Sequence, residues 1–317
     1  MVRRDKENNS MRLKSGLGFL ITAVAVACGM ATLPALGDDW SDGDDRFTVQ
    51  KGLPYSEADE ELRLDLFLPK DAAQPVPCII VIQGGGFLAQ NGQRFRPFAE
   101  YLAENGMAAA LIAYRGRPDH TYRDTLADVK AAVRFVREVG RQYNIAVDRI
   151  GAMGRSAGGT LSALLAVTGG MPEFEGAGGH ADYSSRIQAA AAYAGVFDFV
   201  SRFTDHEQIA LQPRHATKME TNGEWIGAEF SQDDPDWLAA SAVRHVDKGD
   251  PPILFLHCKD DATVPWMQSR DMCAKMREAG IASRAKYYET GGHGFKNLDE
   301  KPMAEMVTFF RETLGEH

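Results

Sequence analysis

Short apolar runs alternate along the chain with longer segments whose apolar residues recur every three or four positions. The runs read as strands near 46–51, 62–68, 78–83, 107–114, 149–153, 188–195, 252–258 and 283–289. Helical patterns lie near 94–105, 122–142, 157–168, 266–279 and 300–314. Between Tyr122 and Tyr143, for example, Leu126, Val129, Val133 and Val136 fall at helical spacing. Two early strands followed by alternating strand and helix predict an α/β fold with eight strands, mostly parallel, and an antiparallel start. Functional loops in such a sheet emerge at the carboxyl ends of the strands. One stretch breaks the alternation, an insertion at about 199–249 before the seventh strand, where Phe199, Phe203, His206, His215, Trp225 and Trp237 are mixed with acids. A structureless loop of that length is rare in a compact domain, so short helices are expected there. His206 and His215 lack metal-ligand spacing and read as surface residues.

The junction of the strand Arg149–Met153 with the helix Gly159–Thr168 carries Gly154-Arg155-Ser156-Ala157-Gly158. A serine on such a bend stands exposed at the end of the sheet, and the glycines remove side chains that would clash. Serine alone is a weak nucleophile and needs a general base, usually a histidine oriented by a carboxylate. Downstream, the apolar run Ile253–Leu256 delivers Asp260 and Asp261 into a loop, and His293 sits on a glycine-rich loop after the following strand. The order Ser, acid, His is the one expected on this type of sheet. Neighbouring side chains point opposite ways, which favours Asp261 as the acid, with Asp260 or Asp198 as alternatives. His257 and His245 read as packing residues. Gln83-Gly84-Gly85-Gly86-Phe87 follows the buried run Cys78–Ile82. The amides of Gly85, Gly86 and Ala157 are candidate donors to a developing oxyanion. A phosphate-cradling role fails because no Gly-Lys-Ser/Thr follows. Phe87, Arg155 and Trp225 are candidate substrate contacts, weighed against plain packing or, for Arg155, a solvated surface position.

On these blocks the chain resembles an α/β-hydrolase of the esterase/lipase group, close to hormone-sensitive-lipase-type carboxylesterases. It most resembles secreted bacterial acetyl-xylan and feruloyl esterase-like enzymes. The likeness covers roughly residues 47 to 315 and rests on the glycine loop 83–87, Tyr114-Arg115 through Asp128–Arg134, the elbow 154–159, Asp261–Pro265 and Gly292-His293-Gly294-Phe295. It implies the α/β-hydrolase fold and makes Asp261, three residues before Val264, the acid. It further implies a serine carboxylic-ester hydrolase that uses neither metal nor organic cofactor. The expected substrates are short-chain acyl esters, such as acetyl or feruloyl groups on polysaccharide. Gln83 stands where the family has histidine, and its amide is expected to hydrogen-bond in place of an imidazole. The near alternative is a general small-molecule carboxylesterase or lipase. A non-catalytic carbohydrate-binding protein ranks lower, because Ser, Asp and His are all present.

Net charge is −9 over 317 residues, and residues 1–37 carry five Lys/Arg against two Asp/Glu, leaving −12 on the rest. An acidic body argues against nucleic acid or an anionic membrane surface as partner. Arg12 and Lys14 precede an apolar stretch from Leu17 to Met30, and Ala35-Leu36-Gly37 offers small residues for cleavage. Residues 1–37 therefore read as an export signal, with no stable membrane insertion after cleavage, 38–46 as an acidic linker and 47–317 as the hydrolase domain. Met11 is a neater start for that signal than Met1, and lipid attachment at Cys28 is a minority reading. Cys78, Cys258 and Cys273 remain, with free thiols favoured over a Cys258–Cys273 bridge.

Overall fold

The first three strands of the sheet pair edge to edge and antiparallel: β1 (Trp40–Asp44), β2 (Phe47–Pro54) and β3 (Arg63–Pro69). They belong to a computed structural model that describes residues 40–70, 72–298 and 300–315. The expected export signal, its alternative start at Met11 and Cys28 lie outside the described residues. β4 (Val76–Ile82), α1 (Arg96–Glu104), β5 (Ala108–Ile112), α2 (Tyr122–Val139), β6 (Ile145–Arg155), α3 (Ala157–Val167) and β7 (Ala189–Tyr193) continue the chain. Then come α4 (Phe199–Thr204), α5 (His206–Ala210), α6 (His215–Ile226) and α7 (Pro235–Ala239), followed by β8 (Ile253–Cys258), α8 (Met267–Glu278), β9 (Arg284–Tyr288) and α9 (Lys301–Leu314). The strand order is β1-β2-β3-β5-β4-β6-β7-β8-β9. β3 pairs antiparallel with β5, and all pairs from β5 onward are parallel.

Eight of these strands match the expected ones, and the ninth is a correction. Residues 40–44, read as part of a linker, form β1, in which Trp40 is registered with Gln50 and Ser41 with Val49. An edge strand needs only a backbone ladder to pair, so no apolar alternation announced it. The insertion is helical in short pieces, as its length required.

Burial explains the layering. Cys78, Ile80 and Ile82 of β4 join the core beneath α2, α3 and α8, while Ile79 and Val81 join the core shared with α1 and α9. A strand apolar on both faces belongs in the middle of a parallel sheet. Every residue of α3 is buried, which suits a helix with almost no polar face. The four alanines of β7 give it a low surface to lie on. A capping box starts α2, with the Thr121 amide donating to Asp124 Oδ2 at 2.9 Å.

The backbones of α3 and β4 approach one another closely. A methyl placed on Gly158 would sit 2.0 Å from the Ile82 carbonyl oxygen, and one on Gly154 would sit 2.4 Å from the Gly158 carbonyl carbon. Neither neighbour is a side chain that can swing away. Replacing Gly158 by Ala is therefore expected to destabilise the domain by more than about 3 kcal/mol, read as a fall in urea midpoint.

Candidate active site

Ser156 sits between β6 and α3 with φ 60° and ψ −124°, a conformation that a residue bearing a Cβ rarely adopts. Such strain persists only where the surroundings over-determine it. Here the Ser156 amide donates to Tyr193 O at 2.8 Å, and Gly154 and Gly158 let strand, turn and helix close on one another. The turn lifts the hydroxyl off the sheet, and α3 presents its amino end, where free amides and the helix dipole favour negative charge.

The structure brings Ser156, His293 and Asp261 together. Ser156 Oγ lies 2.8 Å from His293 Nε2, and His293 Nδ1 lies 2.7 Å from Asp261 Oδ2. A carboxylate only accepts, so Nδ1 carries the proton and Nε2 offers its lone pair to the serine hydroxyl. That is the tautomer a general base needs. The other oxygen, Asp261 Oδ1, accepts from the amides of Thr263 at 2.8 Å and Val264 at 3.0 Å. Burial raises the Asp261 carboxyl, but hydrogen bonds from His257 and His293 overcome that and hold it well below the usual carboxylate range.

The two alternative acids have other work. Asp260 Oδ1 and Oδ2 accept from the amides of Gly292 at 2.8 Å and Gly291 at 3.2 Å, so this residue anchors the loop that carries His293. Asp198 caps α4 by accepting from Val200 at 3.0 Å and Ser201 at 3.1 Å. His257, read from sequence as packing, is wholly buried against the acid. Its Nε2 lies 3.0 Å from Val264 O and 3.3 Å from Asp261 Oδ2, and its Nδ1 lies 2.7 Å from Ser269 Oγ. Arg202 of the insertion was not singled out in the sequence. Its guanidinium is buried and donates to Thr263 O at 2.8 Å, behind the acid loop, and burial pulls its pKa down to about 9. Spacing could not reveal either residue, because both contacts depend on which way a buried side chain turns.

The glycine loop lies beside the nucleophile, since a methyl on Gly84 would meet Ser156 Cβ at 3.1 Å. Gln83 supports the loop, as its amide was expected to. Its Oε1 accepts from Arg94 N at 2.8 Å, its Nε2 donates to Gln90 Oε1, and its carbonyl accepts from Tyr114 Oη at 2.5 Å. Gly85 and Gly86 follow on the same loop, and Ala157 opens α3.

Two of the candidate substrate contacts, Trp225 and Phe87, need correction. Trp225 is fully buried and Phe87 is 3% exposed, with the two rings stacked at 3.8 Å. Together with Phe199 they close the insertion onto the body, so neither offers a face to a ligand. Arg155 is half-buried, lies 5.3 Å over the Phe95 ring and donates to Gly294 O at 3.3 Å, bracing the histidine loop. Cys258 and Cys273 are free. Among the described residues, no group of three or more His, Cys, Asp or Glu is placed to hold a metal.

Comparison with known proteins gives a family match and several relatives. A family model described as BD-FAE matches residues 64–276. A probable carboxylic ester hydrolase, LipM of Mycobacterium tuberculosis (strain ATCC 25618 / H37Rv), is 31% identical over 239 residues, 71% of this chain and 51% of LipM. The chain thus spans about half the length of the curated relatives it matches. Among solved structures, a truncated carbohydrate esterase from gut microbiota superposes with TM-score 0.78 at 28% identity, covering 86% of this chain and 99% of that one. Thermogutta terrifontis esterase Est2 superposes with TM-score 0.66 at 29% identity over 81% of this chain and 90% of Est2, which has also been solved with butyrate bound.

The depressed Asp261 fixes a pH dependence. A carboxyl held lower in the folded state contributes stability above its unfolded value, near pH 3.9, and loses it as pH falls through the folded value. The urea midpoint of the wild type should exceed that of Asp261→Asn at about pH 5. Below about pH 4 the margin should narrow.

Proposed function

The chain belongs to the BD-FAE family and has the α/β-hydrolase fold, and from that premise we propose that it is a serine carboxylic ester hydrolase. The observation that carries this reading is the unbroken hydrogen-bonded line from Ser156 Oγ through His293 to Asp261. Ser156 attacks the ester carbonyl while His293 Nε2 takes its proton, and Asp261 stabilises the imidazolium. The amides of Gly85, Gly86 and Ala157 meet the oxyanion of the tetrahedral intermediate. His293 then gives its proton to the leaving alcohol, and water attacks the acyl-enzyme by the same steps in reverse.

For substrate we propose a short acyl group on a sugar alcohol, such as an acetyl or feruloyl ester on polysaccharide. Support comes from the likeness to a carbohydrate esterase and to an esterase that binds butyrate. A cavity of about 630 Å³ flanks the glycine loop, and Gln90, Arg94 and Asp119 line it, but neither Ser156 nor His293 does. We further propose that residues 1–37 direct export, a reading that rests on their sequence alone.

The test is hydrolysis of p-nitrophenyl acetate, butyrate and octanoate, followed by acetylated xylan. Turnover should fall as the acyl chain lengthens, and Ser156→Ala should lower kcat roughly ten-thousandfold or more with the fold intact. Ser156→Ala with near wild-type turnover would sink the assignment. A folded wild type inert on every ester would favour a binding role.

A further inference from the structure

Four residues from Gly85 to Leu88 form a turn closed by the Leu88 amide donating to Gly85 O at 3.3 Å. Both central residues have positive φ, 63° at Gly86 and 65° at Phe87. Glycine enters that region freely, but a phenylalanine there is strained. The turn therefore needs to be held from outside. The body supplies one hold, Gln90 Nε2 donating to Leu88 O at 3.0 Å, and two further holds reach into the insertion. The Phe87 ring is stacked 3.8 Å from Trp225 of α6, whose indole Nε1 is tied at 3.1 Å to Thr125 Oγ1 of α2. Arg117 grips the turn's backbone twice, its Nε donating to Gly86 O at 2.8 Å and its amide to Phe87 O at 2.9 Å. The same guanidinium is paired through Nη1 with Glu224, the residue before Trp225.

We infer that the insertion is a brace for the glycine loop, and that Arg117, backed by Glu224, is a positioning residue for the oxyanion donors. The inference rests on the proposed role of Gly85 and Gly86 in holding the oxyanion. It assigns α6 a function that a lid does not have. Donors aimed before the reaction cost no reorganisation during it, so loosening the turn weakens transition-state binding more than substrate binding.

The experiment compares wild type, Arg117→Gln, Glu224→Gln and the double variant, with rates expressed per titrated Ser156. Three quantities are measured: kcat and KM for p-nitrophenyl acetate, affinity for a trifluoromethyl ketone that adds to the serine, and amide exchange of residues 83–90. Arg117→Gln should lower kcat about tenfold, a part of what losing one donor outright costs, with KM within about twofold. Ketone affinity should fall by the same factor. Glu224→Gln should cost less, and the double variant should match Arg117→Gln, because both act through one contact. Amides of 83–90 should exchange faster in Arg117→Gln while those of β4 and β6 stay protected.

Wild-type kcat and ketone affinity in Arg117→Gln, or a rise in KM alone, would overturn the inference. A wild type that hydrolyses no ester, or a Ser156→Ala that retains activity, would count against the esterase reading instead. Exchange then decides the brace by itself: unchanged exchange of 83–90 in Arg117→Gln would remove it.

Discussion

Where α3 crosses the end of β4, two backbones lie closer than any side chain permits, with the Cβ position of Gly158 only 2.0 Å from Ile82 O. That approach sets the height of the elbow above the sheet, and every other site element is placed relative to it. Gly84 packs against Arg155 and Ser156 from the β4 side, and Tyr193 O takes the Ser156 amide from the β7 side. The positive φ of Ser156 is a cost that these neighbours impose and sustain. Glycines after β4, on β6 and on α3, with a carbonyl from β7, thus do for the nucleophile what a single bulky anchor could not.

Around this fixed point the charged groups are arranged so that one carboxylate is surrounded. Asp261 meets two histidines and two amides, and Arg202 stands behind its loop without a carboxylate of its own at hydrogen-bond distance among the described residues. A buried charge is costly unless paired. Here the partners that stabilise the carboxylate also fix its direction, and through it the ring of His293. Asp260 handles the backbone of the histidine loop, so two neighbouring acids divide orientation between ring and chain.

Much of this was legible in the sequence because it is local. The elbow, the acid loop and the histidine loop each follow an apolar run, and the eight anticipated strands and five anticipated helices fall within a few residues of their expected bounds. What escaped is contact between distant segments. An aromatic in an insertion tells nothing of its facing, and Trp225 turned inward onto Phe87 rather than toward a ligand. His257 ends a core strand like any packing histidine, and only its ring orientation brings it to Asp261. β1 escaped for the opposite reason, since it is held by backbone pairing and carries no apolar alternation to read.

The insertion touches the machinery through residues on both sides of the join: Trp225, Glu224 and Arg202 lie within it, whereas Phe87, Arg117 and Thr263 belong to the body. These are matched halves. A chimera that received this segment from a relative would acquire new α4 and α6 faces but keep the old Phe87 and Arg117. It would then be mismatched at the glycine loop and the acid loop together. In this fold the segment and those two loops make one module, and they have to be exchanged, or allowed to diverge, as a set.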